Sequence, residues 1–165
     1  MQDLLIDTTR LVHRVLSKRL PTGVDRVSLA YIRHYRPYAR AVVRHHGGKF
    51  VFRRYDSERI FDWILSLGKS GHLKPLIYKG LISGCLAQRV CGSFLINTGH
   101  SGLESDDYVE MLQEQCVRPI FMIHDLIPIS HPSYCRAGEQ TRHISRLKNA
   151  MKIASGIICN SQATM

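Results

Sequence analysis

The strongest constraint in this sequence is an alternation of two hydrophobic periods. Short apolar runs bounded by turn residues are separated by stretches whose apolar residues recur every three or four positions. Leu4 to Asp7, Ala41 to Val43, Phe50 to Phe52, Ser93 to Ile96, Ile120 to Ile123 and Ile157 to Cys159 read as strands, with His46-Gly47-Gly48 as the turn between the second and third. After the break at Pro21-Thr22-Gly23, a helix is expected from Val24 to about Tyr35, carried by Val27, Leu29, Ala30 and Ile32, with Thr22 as its N-cap. Asp56 is expected to cap a helix bearing Ile60, Trp63, Ile64 and Leu67. Further helices are expected from Pro75 to about Val90, from Asp106 to Gln115 and from Arg136 to Ala154. The last has Ile144, Leu147, Met151 and Ile153 as its apolar stripe and Gly156 as its stop. Apolar strands alternating with amphipathic helices bury both faces of a sheet, which a mainly parallel arrangement with helices on both sides achieves. The predicted fold is therefore α/β and Rossmann-like, with the strands ending near Asp7, Ile96, Ile123 and Cys159 side by side.

The length of 165 residues suits one domain, and 44% apolar content is enough to build its core. Charge is less even. Lys and Arg number 23 against 13 Asp and Glu, a formal +10, which favours an acidic partner such as nucleic acid, an anionic membrane surface or a phosphorylated substrate. Cysteines at 85, 91, 116, 135 and 159 are odd in number and lack C-x-x-C spacing, so reduced, mostly buried thiols are expected rather than disulfides or zinc. No leader-like segment, membrane-length apolar run or N-x-[ST] sequon is visible, and a cytoplasmic location is expected. The nine histidines show no metal-binding spacing, and no metal or organic cofactor is expected.

Several motifs are candidate sites. Gly68-Lys69-Ser70 is a poor phosphate loop, because Trp63 stands where its first glycine belongs and a helix precedes it. No G-x-G-x-x-G follows the first strand. Pro21-Thr22-Gly23-Val24-Asp25-Arg26 reads from its residues alone as an ordinary helix entry, although Gly23 permits close backbone approach and Arg26 adds first-turn charge. His124-Asp125 closes the clearest strand, at the edge where open α/β sheets bind ligands. A sugar- or phosphate-facing imidazole and a partly buried histidine beside a capping aspartate both fit there. Asn97-Thr98-Gly99-His100 closes another strand and reads equally as a hydroxyl-binding loop or a simple turn. Asn160-Ser161 repeats the pattern, with helix capping by Ser161 the simpler account. Asp106 and Asp107 read as a helix cap and first-turn charge, not an acid–base pair.

Three of these segments, taken in order, resemble bacterial glycosyltransferases of family 4. Pro21-Thr22-Gly23-Val24-Asp25-Arg26-Val27 is similar to their TG-I-x-R-V loop. Ile123-His124-Asp125-Leu126-Ile127-Pro128 with His131-Pro132-Ser133-Tyr134 is similar to HDLIP…HPEY, and Ile157 to Thr164 to I-x-x-NS-x-AT. The resemblance implies the N-terminal, acceptor-side half of a GT-B architecture, in which two Rossmann-like domains face across a cleft. It implies retaining, metal-independent transfer from a nucleotide-sugar donor to a saccharide or polyprenyl-linked acceptor, in cell-surface polysaccharide synthesis. Thr22, Gly23 and Arg26 match the loop near the donor phosphate, and His124 the histidine facing the donor sugar. Asn97, His100, Asp125, Asn160 and Ser161 are candidate cleft or acceptor contacts. Asp25 stands where many relatives carry glycine or a small polar residue. The donor-binding C-terminal domain is not among residues 1–165, so the chain reads as one domain of a larger enzyme, inactive alone.

Other readings are a non-catalytic Rossmann-like binding or regulatory module with a basic surface, and a nucleic-acid binder. The latter lacks any helix-turn-helix, zinc-finger or RRM signature, and no specific nucleic acid is expected. The stretch His72 to Arg89 places Leu73, Leu76, Ile77 and Leu81 at helical spacing among Lys74, Lys79 and Arg89. A core helix is the commoner use of such a stripe; the other is a helix lying on a membrane surface. Peripheral association with the inner face of the plasma membrane is expected from the overall charge.

Overall fold

A computed structural model describes residues 3–45, 48–71, 75 and 90–165. Its frame is a six-stranded sheet in the order β3-β2-β1-β4-β5-β6, with β1 Leu4–Asp7, β2 Ala39–His45, β3 Gly48–Val51, β4 Phe94–Asn97, β5 Arg118–Ile123 and β6 Gly156–Cys159. Five strands are parallel, and β3 folds back antiparallel on β2, pairing Val42 with Val51. β1 is flanked by β2 on one side and β4 on the other, Leu4 lying opposite both Ala39 and Phe94. The chain thus builds outward in one direction from β1, then returns and builds in the other. That reversal between β1 and β4 is a topological switch point. This is the expected Rossmann-like α/β fold, with the four named strand ends adjacent.

The apolar runs are double-sided because both faces are covered. In β1, Ile6 packs with α1 (Thr9–Leu16), α2 (Gly23–Tyr35) and α3 (Arg54–Leu65), against Leu11, Leu29, Ile32, Phe61 and Ile64. Leu5 faces the opposite cluster of Leu95, Tyr108, Leu112, Phe121 and Ala150, beneath α4 (Asp106–Glu114) and α6 (Glu139–Ile153). A one-turn helix α5 (Ile127–Ser130) connects β5 towards α6.

Several boundaries differ from expectation, each for a local reason. Helix α1 was not anticipated. Asp7 Oδ1 accepts from Thr9 N at 2.9 Å, starting a helix directly at the strand's end, and Leu11 and Val12 are buried by it. Arg53 rather than Asp56 is the N-cap of α3; Asp56 sits inside the first turn and is buried. Helix α6 starts only after Gly138, whose φ of 85° sets the entry. Its buried positions are His143, Asn149 and Ala150, while Met151 of the expected stripe is exposed. The helix is anchored through polar groups, Asn149 Nδ2 donating to Leu103 O at 3.0 Å. Gly156 opens β6, and the helix ends at its C-cap Ala154. Among the described residues the thiols are not mostly buried: Cys91 and Cys116 are exposed, and Cys135 and Cys159 half-buried, all four free, while Cys85 lies outside the described residues. The expected helix from Pro75 to Val90 and the stretch His72 to Arg89 lie outside the described residues, Pro75 and Val90 apart. No helix among the described residues is long and apolar enough to cross a membrane.

Candidate functional site

The carboxyl edges of β1 and β4, where the switch point lies, open into a cleft of about 330 Å³. That volume lies at the lower end of the range of about 300–1,000 Å³ usual for small-ligand sites. Three segments make its walls: Thr9, Arg10, His13, Arg14 and Arg19 from α1 and its exit, Gly99 to Gly102 with Glu104 after β4, and Arg142 and Arg146 from α6. Five arginines and one carboxylate therefore face the same space.

Local chemistry fixes each wall. On α1, Arg10 Nε donates to Asp25 Oδ1 at 2.7 Å, and Arg14 Nε lies 2.9 Å from Asp25 Oδ2 without hydrogen-bond alignment. Arg14 Nη2 instead donates to Leu20 O at 2.7 Å. Asp25 is fully buried as the third residue of a capping box. Its Oδ2 accepts from Thr22 N at 2.7 Å and Thr22 Oγ1 at 2.6 Å. Burial opposes its charge, yet the hydrogen bonds from Thr22 and Arg10 outweigh it and hold the carboxyl below its ordinary value. On the opposite wall, Glu104 accepts from Arg142 Nη2 at 2.6 Å and Arg146 Nε at 3.2 Å, and Arg142 Nη1 also reaches Glu139 at 3.4 Å. The same balance, burial against two guanidinium partners, lowers Glu104.

The floor is the loop after β4. Asn97 Nδ2 donates to Ser101 O and Tyr108 Oη, both at 3.2 Å, and its Oδ1 accepts from Gly99 N at 3.1 Å. Beneath it Arg44 pairs with buried Asp7 at 3.2 Å, lies 4.1 Å over the Tyr108 ring and donates to Ser101 O. Tyr108 donates to Asp7 Oδ2 at 3.2 Å, and burial together with the Asp7 charge pushes its phenol far up. Gly102 has φ +79°, and a Cβ there would lie 1.9 Å from Arg44 Nη1. The left-handed backbone favours glycine, and a side chain there would have to displace the Arg44 guanidinium.

Beside the cleft, three imidazoles close over the end of β5. His100 Nε2 donates to Met122 O at 2.6 Å, His124 Nε2 to Thr98 O at 2.7 Å, and His143 Nε2 to Asp125 O at 3.0 Å. A carbonyl only accepts, so each Nε2 carries a proton and donates it. The His100 ring lies 5.0 Å from that of His124 and 6.2 Å from that of His143. Burial, helped by His124, Arg146 and His143 and opposed by the Met122 carbonyl, pulls His100 down to about 4. No group of three or more potential ligands could hold a metal ion among the described residues.

The residues singled out from sequence fall into three sets. His100 is part of the cleft wall, and Thr22 lies behind it, accepting from Arg10 Nη2 at 3.5 Å. Gly23 and Arg26 are exposed on the first turn of α2, where a Cβ on Gly23 would meet nothing within 4 Å. Asn97 is consumed in the loop it folds, and Asp125 accepts from Ile127 N at 3.1 Å as a local cap. His124 is 9% exposed. Asn160 and Ser161 are exposed beyond β6, Ser161 Oγ lying 3.0 Å from Thr164 Oγ1.

One hydrogen-bonded line joins the separate motif segments. Ser28 Oγ, one residue past the first motif, donates to Val24 O at 3.1 Å, Thr98 Oγ1 donates to Ser28 Oγ at 2.7 Å, His124 donates to Thr98 O, and Thr164 Oγ1 donates to His124 O at 3.5 Å. Sequence reasoning missed the arginines. Their signal was the i, i+4 spacing of Arg10 with Arg14 and of Arg142 with Arg146, which sets each pair on one helix face. No protein-family profile, curated protein or solved structure matches this chain.

Proposed function

We propose that this chain is the acceptor-side domain of a retaining, metal-independent glycosyltransferase of GT-B architecture, working with a donor-binding domain across its sheet edge. The observation that carries the reading is the line from Val24 through Ser28, Thr98 and His124 to Thr164. It brings the three segments that resemble family 4, far apart in sequence, to one carboxyl edge. Transfer requires stabilising a departing diphosphate and an oxocarbenium-like sugar, work that falls to preorganised donors where no metal takes part. The exposed N-terminus of α2, with Gly23 and Arg26, supplies such groups from this side, while the imidazoles, whose Nε2 protons are spent on backbone carbonyls, shape the edge beside it. Nucleotide-sugar binding requires the second domain; the acceptor is a saccharide or polyprenyl-linked saccharide, met at the cytoplasmic face of an anionic membrane.

The burial of His124 and its bond to Thr98 O favour a second reading, a non-catalytic binding module in which this histidine only ties the edge together. Saturation-transfer NMR on the chain with a panel of oligosaccharides and soluble polyprenyl-phosphate-sugar analogues separates the two from a domain that binds no sugar. Saccharide contacts on the carboxyl edge, weakened by His124→Ala in a folded variant, are expected. A panel with no binder would refute the acceptor reading, and unchanged binding in His124→Ala would favour the structural role.

A further inference from the structure

We infer that the arginine cleft is a binding site for a doubly charged phosphate group, a phosphate monoester or a diphosphate, carried by the ligand of this edge. The identity of the remaining ligand rests on the glycosyltransferase reading; the anion site rests on the cleft alone.

The argument is one of charge left over. Five guanidinium groups, of Arg10, Arg14, Arg19, Arg142 and Arg146, line the cleft. The carboxylates in contact with them are Asp25, Glu104 and Glu139, Asp25 shared by Arg10 and Arg14, and Glu104 and Glu139 each shared by Arg142 and Arg146. Two positive charges remain uncompensated inside a concave wall, where low-dielectric surroundings strengthen their field. A single carboxylate ligand would leave one of them unmatched; a phosphate dianion or a diphosphate would match both. The carboxylates also serve as struts, fixing Arg10 and Arg142 through particular nitrogens and leaving other guanidinium N–H groups to donate. Guanidinium forks match phosphate oxygens in geometry as well as charge. Arg19 is exposed at the rim and has no ion-pair partner among the described residues. His100 lines the same wall and, held neutral at physiological pH by its burial, adds no charge to it.

The test is calorimetric titration of the 165-residue chain with inorganic pyrophosphate at low ionic strength, alongside Arg19→Gln, Arg142→Gln and the distant surface control Arg33→Gln. Saturable one-to-one binding is expected, weakened about tenfold by either cleft substitution and less than twofold by the control, in line with the strength of charge-assisted hydrogen bonds. No binding, or equal losses in all three variants, would overturn the site. Vesicles of zwitterionic lipid with and without anionic phospholipid separate the sources. Displacement of vesicle-bound chain by pyrophosphate supports a lipid-borne phosphate in the cleft, and pyrophosphate binding without vesicle binding supports a soluble one. Vesicle binding that pyrophosphate cannot displace overturns the cleft in favour of a diffuse basic surface. Pyrophosphate binding with no saccharide bound leaves the anion site standing and refutes the transferase reading; saccharide binding without pyrophosphate does the reverse.

Discussion

Replacing Gly102 by alanine should destabilise the fold, and the structure says through which atoms. The residue sits at φ +79°, where an L side chain costs about 1–2 kcal/mol. Its new Cβ would lie 1.9 Å from Arg44 Nη1 and 2.7 Å from Arg44 Cζ, so the guanidinium must leave. That guanidinium belongs to a side chain only 17% exposed, paired with an Asp7 side chain only 1% exposed. Breaking a buried pair outright costs about 3–5 kcal/mol. Here Asp7 keeps Thr9 N at 2.9 Å and Tyr108 Oη at 3.2 Å, so the loss is closer to that of one charged hydrogen bond, about 1–3 kcal/mol. The two contributions give about 2–5 kcal/mol, or roughly 4–20 °C in Tm for a domain of this size. Urea melts followed by circular dichroism and by the fluorescence of the single tryptophan, Trp63, would measure it. The same substitution in an Arg44→Met background should cost only the backbone contribution, leaving a coupling of about 1–3 kcal/mol. Equal losses in both backgrounds would refute the clash with Arg44 as the cause.

His100 carries a pH dependence of definite sign. Its folded pKa of about 4 lies below the ordinary 6.5, so the unfolded chain binds more protons between those values, and stability falls as pH drops through that window. The span is on the order of 3 kcal/mol, and His100→Asn, which tolerates the residue's φ of 57°, should flatten the pH 4–6.5 slope of the urea midpoint. An unaltered slope would place the titration elsewhere. The purified chain, incubated with nucleotide-sugars and lipid or sugar acceptors, should yield no product above blank; steady turnover would contradict its role as one half of a site. Co-sedimentation with anionic liposomes should occur at low salt and weaken as salt rises, whereas no sedimentation at low salt would remove membrane association from the proposal.

The fold was largely legible because its core signals are periodic. Ile120 to Ile123 reads as a strand and is one, and its neighbours follow from strand–helix alternation. Helix α1 was legible and passed over: Leu11, Val12, Val15 and Leu16 recur at helical spacing straight after the strand, where Asp7 turns back on Thr9 N, and the short gap to Pro21 hid a separate helix. The burial of α6 was misjudged for a different reason. Its buried face carries Ala150 together with His143 and Asn149, polar residues that find carbonyls at Asp125 and Leu103, so a stripe drawn from apolar residues alone rotates the buried face towards Met151.

The site was legible only in its fixed points. His100 and His124 could be placed at strand ends, because strand ends are where the parallel architecture puts ligands. What a histidine does there depends on which carbonyl faces it, and Thr98 and Met122 belong to different strand ends, joined only once the order β1-β4-β5 exists. The arginines show the same limit more sharply. Arg10 with Arg14, and Arg142 with Arg146, were readable as pairs on helix faces, but more than 120 residues separate the pairs in sequence. Their meeting requires β1 to sit at the centre of the sheet and α6 to pack beside the loop after β4. A formal charge of +10 spread over the surface would be screened and unspecific; the same sign gathered around one cleft, with Asp25 and Glu104 each divided between two guanidinium groups, becomes a recognition element. The distinction lies in topology, and composition alone cannot contain it.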